Sequence, residues 1–303
     1  MSYHSVMQWL FYFYLYCFLG WIFESAVVSI SQRRLVNRGF MKGPFLPIYG
    51  FGALSILLST LPVRARPFLV FLVGLLAATI LEYITGVLME RLFKVRYWDY
   101  SHKRFNLNGH ICLSSSLAWG GFSLLLTTFI HPRLEQFAAI LPPLVPDVTV
   151  YVVSAWFLYD FTTSFHSAFS LRELLEKDEA LKREIEALRT RLSEMEARYA
   201  QARSSVNEHI DALRDTTEDA FNARLARLEA LPEEMRRELT QRSARMHQAM
   251  AELRSRISEK PDLRRLLRRN PGATSLRYAR SFSDIRQALE NAVKKNHPPH
   301  KGA

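Results

Sequence analysis

The stretch FLVFLVGLLAATILEYITGVLM, Phe68 to Met89, holds 22 residues and a single charge, Glu82. Crossing bilayer hydrocarbon as a helix takes roughly 20 apolar residues, so this stretch reads as a transmembrane span. Similar stretches lie on both sides of it: Trp9 to Ile30, Phe45 to Leu61, Ile111 to Ile130 and Val148 to Phe169. Phe45 to Leu61 is the shortest of the five. Beyond Phe169 the chain changes character and becomes charged, with leucines at helical spacing. The expected fold class is therefore all-α: a five-span transmembrane helical bundle followed by a long cytoplasmic coiled coil tail. The expected divisions are 1–170 for the membrane part, 171–260 for the coiled coil and 261–303 for a basic, partly disordered end.

Orientation follows from Lys and Arg in the short connections, which stay on the cytoplasmic side during insertion. None precedes the first span. The first connection carries Arg33, Arg34, Arg38 and Lys42, and the second only Arg64 and Arg66. The third carries Arg91, Lys94, Arg96, Lys103 and Arg104, and the fourth only Arg133. This alternation predicts an N-terminus outside and a cytoplasmic tail. The first 30 residues lack the basic start and the small-residue cleavage site of a secretory signal, which makes the first span an uncleaved one.

The net charge of +11 is spread unevenly. The last 43 residues hold 10 basic and 3 acidic residues. Around Leu263, Leu266 and Leu267 they place Arg264, Arg265, Arg268 and Arg269, a basic amphipathic run suited to anionic lipid headgroups. Nucleic acid is the less expected partner, because the bilayer is already at hand. Cys17 and Cys112 give neither a disulfide framework nor a metal-ligand spacing, so no metal and no cofactor is expected.

No glycine occurs between Gly121 and Gly272, and no proline between Pro146 and Pro232. A helix leaving the fifth span meets no obvious break before Leu231. Along it runs a heptad seam. One row is Leu171, Asp178, Ile185, Leu192, Tyr199, Val206 and Leu213; the other is Leu174, Leu181, Leu188, Met195, Ala202, His209 and Thr216. Such a seam predicts self-association into a homo-oligomer through a coiled coil. A hairpin is the alternative, with the helix folded back on the looser apolar stripe Met235, Leu239, Met246, Met250, Leu253 and Ile257 after Pro232.

Acids inside spans are the residues most costly to bury, and an ionisable group at membrane depth is by default a functional candidate. Glu24 and Glu82 each lie nine residues before an arginine, Arg33 and Arg91, on helices running the same way, so they sit at similar depth. Each is on a face of small residues: Cys17, Gly20 and Ser31 around Glu24, and Gly74, Ala78 and Gly86 around Glu82. Small residues at four-residue spacing let helices approach closely, which turns both acids into the bundle. Asp160 and His166 on the fifth span complete the candidate intramembrane polar site. Transport or proton relay is one reading of these groups; hydrogen bonding that only fixes helix packing is the other.

Two connections stand out in composition. NRGFMKGPFLPIYGFGA, residues 37–53, is too rich in Gly and Pro to open as a regular helix, and backbone of that kind at membrane depth needs protein or water to cover it. The segment from Glu82 to Leu113 carries the aromatic cluster Tyr97, Trp98 and Tyr100 and the polar run Asn106, Asn108, Gly109 and His110. With GWIFE at residues 20–24, LEYITG at 81–86 and WDYSHKRFNLNGHICL at 98–113, these pieces resemble the bacterial ABC-transporter type IV (CmpB-like) family of multipass membrane proteins. The likeness covers roughly residues 10 to 135. It implies a permease-like protein of the bacterial inner membrane, without a known substrate. The residues standing in its loop motifs are Arg38, Gly39, Pro44, Pro47, Gly50, Trp98, Asp99, Tyr100, Asn106, Asn108 and Gly109.

The sequence contains no GxxxxGK[ST] phosphate loop, so an ATP-driven role requires a separate ATPase subunit. Nor does it contain HExxH, GxSxG or a zinc-spaced cysteine cluster, and no catalytic residues are expected. Three functions remain: a permease-like transporter component, a membrane-anchored scaffold that recruits partners through the coiled coil, and, behind both, intramembrane catalysis by Glu24 and Glu82 as an acid pair, which has no positioned nucleophile.

Overall fold

The computed structural model describes residues 5–212, 237–238, 240–253, 255 and 261–296. The side chains of 196, 199, 202–212 and 290–296 lie outside that description, as do Leu213, Thr216, Pro232, Met235, Leu239 and Ile257. Among the described residues the chain is helical apart from one two-stranded hairpin. Contacts divide it into two compact units, Met1–Glu173 with Lys260–Arg286, and Leu174–Glu259 with Gln287–Ala303.

In the first unit, α1 (Val6–Gln32) opens on a capping box. Ser5 Oγ accepts from the Gln8 N–H, and Gln8 Oε1 accepts from the Ser5 N–H, satisfying two donors that a helix start leaves unpaired. Helices α2 (Pro47–Thr60) and α3 (Pro67–Phe93) both start on proline, whose missing N–H costs nothing in the first turn. A short 3₁₀ turn, Leu61–Val63, ends α2. After α3 come the strands β1 (Asn106–Leu107) and β2 (Ile111–Cys112), antiparallel with Asn106 opposite Cys112. The turn between them is made by Asn108 at φ 53° and Gly109 at φ 72°, left-handed values that these two residue types tolerate best.

Helix α4 (Leu113–Leu125) passes through a π turn at Leu126–Ile130 into α5 (His131–Ile140). Pro132, at the start of α5, cannot donate the next helical hydrogen bond, and the wider turn before it takes up the mismatch. The apolar helix therefore runs from Leu113 to Ile140, ten residues beyond the expected end of the fourth span. Helix α6 runs from Leu144 to Ala212. Among the described residues four helices are long and apolar enough to cross a membrane: Val6–Gln32, Pro67–Phe93, Leu113–Ile140 and Leu144–Met195. Pro47–Val63 is apolar but shorter.

The bundle packs through small residues. On α3 the buried positions include Gly74, Ala78, Glu82 and Gly86, one residue per turn, while Leu76, Ile80, Ile84 and Leu88 on the other side are exposed. Gly74 faces the Ser123 side chain of α4 so closely that any Cβ would overlap it. One core cluster joins α1 to α2 and α6 through Phe11, Tyr12, Tyr16, Ile56, Leu57 and Val150, with Trp119 and Phe122 of α4 packed against it. A second seats Met41 and Phe45 of the 33–46 connection against Phe13 and Cys17. Phe40 in that connection lies 5.5 Å from the ring of Phe93 at the end of α3, and Phe93 lies 5.1 Å from Phe165 on α6.

The basic end of the chain belongs to this unit as far as Arg286. Helix α7 (Pro261–Arg269) buries Leu263, Leu266 and Leu267, the residues that a helix lying on lipid would give to the bilayer. Asn270 Nδ2 donates to the Gly39 carbonyl at 3.1 Å, and Lys42 pairs with Asp262 at 3.3 Å. Arg96 and Thr274 exchange two backbone hydrogen bonds, at 2.7 and 2.9 Å. Residues 261–286 are thus fastened to the 33–46 and 94–112 connections. Helix α8 (Ala279–Asn296) follows, with Phe282 and Ile285 buried.

In the second unit the seam of α6 meets its own chain. Leu181, Ile185 and Leu188 pack against Met246 and Met250 of the helical stretch 240–253, and Arg242 reaches Glu184 at 3.8 Å. This is the hairpin arrangement. Asp178 occupies a seam position fully buried, held by Lys182 at 2.8 Å.

Candidate functional site

Glu82 projects from the buried stripe of α3 and is 6% exposed. Removing a carboxylate from water is costly unless donors replace the lost hydration. Three surround it. Trp119 Nε1 on α4 donates to Oε2 at 3.1 Å, Ser115 Oγ faces the same oxygen at 3.4 Å, and Tyr100 Oη donates to Oε1 at 3.3 Å. Ser115 Oγ also lies 2.9 Å from the Cys112 carbonyl, so its one proton serves either acceptor.

Glu24 on α1 stands beside this group. Its Oε1 accepts from Tyr49 Oη on α2 at 2.8 Å. The Tyr49 ring lies 5.8 Å from that of Trp119, so one aromatic pair separates the two carboxylates, each ring giving its polar hydrogen to a different acid. Arg38 Nε is 3.9 Å from Glu24 Oε2. The rest of that guanidinium is spent on backbone and tail: Nη2 donates to the Tyr97 carbonyl at 3.3 Å, and Nη1 to Asn270 Oδ1 at 3.2 Å and the Arg269 carbonyl at 3.4 Å. Burial draws the Arg38 pKa down and the Glu24 charge pushes it back up. The cluster therefore runs from the docked end of the chain, through Arg38, to two acids inside the bundle.

Asp160 is placed elsewhere. Its oxygens accept from the backbone N–H groups of Lys42 at 3.0 Å and Gly43 at 2.7 Å, with Ser164 Oγ at 3.4 Å. It clamps the 33–46 connection to α6. His166 is exposed, on a different side of α6 from the buried Ser164 and Ser167. The four residues grouped by sequence thus separate into a pair, a clamp and an outlying histidine.

The loop-motif residues separate likewise. Arg38 and Tyr100 reach the acids. The others shape the two connections around them. Gly39 adopts φ 134°, a conformation that strains any side chain, and offers its carbonyl to Asn270. Pro44 lies within a tight turn closed by the Phe45 N–H to the Gly43 carbonyl at 2.9 Å, and Pro47 starts α2. Gly50 packs on Cys17 and Phe13. Trp98 Nε1 donates to the His110 carbonyl at 2.9 Å. Asn106 Nδ2 bonds the Lys103 carbonyl at 2.7 Å while its Oδ1 accepts from the Gly109 N–H at 3.1 Å. Asn108 Nδ2 reaches Tyr83 Oη at 3.1 Å. Asp99 accepts from the Ser101 N–H at 2.9 Å and from Arg96 at 3.4 Å. Burial acts to raise its pKa, but these donors and the Arg96 charge outweigh it and hold the carboxyl below the usual range.

Tyr49, Ser115 and Trp119 did not stand out in the sequence. Tyr49 lies within the Gly/Pro-rich run and the other two within an apolar span, and nothing but the fold aims them at an acid. Among the described residues no group of three His, Cys, Asp or Glu side chains is placed to hold a metal ion. No curated protein and no solved structure matches the chain significantly. Residues 11–165, which carry the bundle, the two connections and both acids, match the model of one family; the chain belongs to the family described as "Putative ABC-transporter type IV".

Proposed function

We propose that this protein is a permease-like component of a transporter, with five helices crossing the bacterial cytoplasmic membrane and a separate subunit supplying ATP hydrolysis. The observation that carries the reading is Glu82: a carboxylate buried on a membrane-length helix, surrounded by side-chain donors and set beside a second acid. A group that only fixes helix packing gains nothing from a second carboxylate nearby, whereas a site that takes up and releases a proton or cation uses both. Within this pair Glu24 is joined to the folded connections through Arg38 and Glu82 through Tyr100.

Five crossings are supported by helix lengths. Helix α3 covers about 40 Å at 1.5 Å per residue, and its last residue, Phe93, packs on Phe40 in the connection that precedes α2. The chain must therefore travel the depth of α3 between Phe40 and Pro67, and only the 17 residues Pro47–Val63, about 25 Å of helix, lie there to do it. With α2 as a crossing, the Lys and Arg counts orient the N-terminus outside and the tail in the cytoplasm. The chain itself is read as carrying no enzyme activity.

Scaffolding through a coiled coil oligomer is the second reading. It draws on the heptads, but Leu181, Ile185 and Leu188 are occupied by the chain's own Met246 and Met250, which leaves less seam for a second copy. The test is purification of the full chain from its native membrane in mild detergent, followed by identification of copurifying subunits and assay of ATP hydrolysis. Recovery of a nucleotide-hydrolysing partner supports the permease reading. A pure homo-oligomer with no ATPase would reject it in favour of the scaffold.

A further inference from the structure

Where α3 ends, a groove of about 690 Å³ opens between the last turns of that helix, the 94–112 connection and the segment at Leu276 and Arg277. That volume lies within the range of small-ligand sites, roughly 300–1,000 Å³. The groove draws on pieces far apart in sequence, and its wall is of two kinds. Arg91, Lys94 and Arg277 supply three cations. Tyr83, Val87 and Leu276 supply an apolar side.

Its acids are already engaged. Glu90 pairs with Arg96 at 2.8 Å and with His110 Nε2 at 3.2 Å, and Asp99, near the groove, takes a second Arg96 nitrogen at 3.4 Å. Among the described residues no carboxylate lies within ion-pair distance of Arg91, Lys94 or Arg277. The groove therefore presents uncompensated positive charge. Arginine forks suit phosphate oxygens, which accept several hydrogen bonds at once.

The apolar side decides the source of the phosphate. From Tyr83 and Val87 it continues along α3 to Leu88, Ile84 and Ile80, which are 52%, 55% and 58% exposed on a helix long enough to cross a membrane. Leu276, 59% exposed, stands beside Arg277 at the rim. A soluble phosphate uses none of this surface. An amphiphile uses both ends, with headgroup oxygens at the cations and the first part of an acyl chain along α3.

We propose that this groove binds the phosphodiester headgroup of an anionic phospholipid, with Arg91, Lys94 and Arg277 as its ligands and the outward face of α3 as the bed for its chain. The site is distinct from the acid pair, and it requires only that the chain resides in a membrane. Because Arg277 and Leu276 come from the docked end, the lipid also fastens residues 261–286 to the bundle.

Native mass spectrometry of the detergent-solubilised full chain, with phosphatidylglycerol or phosphatidylcholine of matched acyl chains added, tests this. The wild type should retain phosphatidylglycerol at least about tenfold better, as expected for three cations near a headgroup. The variant Arg91→Gln, Lys94→Gln, Arg277→Gln should lose that preference, while the charge-matched variant Arg64→Gln, Arg66→Gln, Arg133→Gln keeps it. Equal loss in both variants, or no loss in the first, overturns the proposal. Competition by glycerol phosphate as effective as that by intact lipid would assign the groove to a soluble phosphate and also overturn it. Wild-type protein crosslinked to a photoactivatable phosphatidylglycerol provides a readout independent of variant folding: adducts at residues 83–94 or 276–277 support the site, and adducts confined to other segments refute it.

Discussion

Glu82 and Asp160 are both buried carboxylates on membrane-length helices, at 6% and 4% exposure, yet they are held in opposite ways. Asp160 accepts from two successive backbone N–H groups, which the turn at Lys42 and Gly43 fixes in place. Glu82 accepts from tyrosine, tryptophan and serine side chains, which turn about their own side-chain bonds, and Ser115 has a second acceptor in the Cys112 carbonyl at 2.9 Å. Backbone donors make a permanent ligand set; side-chain donors make a replaceable one. Burial alone does not distinguish a working acid from a structural one; on the proposed function, the kind of donor does.

The largest effect that would break this comparison is expected at Asp160. Asp160→Ala leaves the Gly43 N–H without its acceptor and the Lys42 N–H with only Ser164 Oγ at 3.2 Å, and losing charge-assisted bonds of this kind costs about 3–5 kcal/mol in total. Thermal unfolding in detergent should show a clear loss of stability, and activity should fall with it. Glu82→Gln should behave differently. It removes a buried charge, keeps an acceptor oxygen for Trp119, and should shift stability by less than about 1 kcal/mol while abolishing coupled transport. A Glu82→Gln protein as unstable as Asp160→Ala would collapse the distinction.

A smaller effect is expected from Asn270→Ala. The substitution removes the bonds to the Gly39 carbonyl and to Arg38, worth about 1–2 kcal/mol, and should expose residues 261–286 to limited proteolysis with the bundle intact. Tyr49→Phe removes one bond to the partly exposed Glu24 and should cost about 1 kcal/mol or less in the same melt.

The smallest effect is a pH dependence. Burial first, then the Arg96 charge, holds the His110 pKa below its ordinary 6.5. The folded protein keeps this imidazole neutral while the unfolded chain takes a proton, so the His110 contribution is complete above pH 6.5 and declines as pH falls below it. His110→Gln should flatten the slope of melting temperature against pH between roughly 5 and 6.5. An unchanged slope would show that other groups set it.

Much of this architecture was legible in the residues. The 22 residues from Phe68 to Met89 identify α3, and the small-residue spacing through Gly74, Ala78, Glu82 and Gly86 points to its buried face, because only small side chains permit the approach to α4. The extension of the fourth apolar helix to Ile140 was less visible, since Arg133 and Glu135 end the hydrophobic run while the helix continues past Pro132 through a π turn. The docking of α7 was hidden for a related reason. A leucine face flanked by arginines suits a membrane surface and a protein groove equally, and the deciding contacts come from Gly39, Lys42 and Arg96, more than 160 residues away in the chain. Within the candidate site, both acids could be found by their cost at membrane depth. Their donors Tyr49, Ser115 and Trp119 could not, because a hydroxyl or indole in a span carries no local sign of what it faces.

The most direct measurement is ATP hydrolysis by the complex purified with its copurifying subunit and rebuilt in liposomes, comparing wild type with Glu24→Gln, Glu82→Gln and the charge-neutral surface variant Gln32→Ala. If the acid pair is the working site, both acid variants should lower the rate at least about tenfold with melting temperature unchanged, and Gln32→Ala should match wild type. Equal rates in all four proteins, or the absence of any hydrolytic partner, would contradict the account.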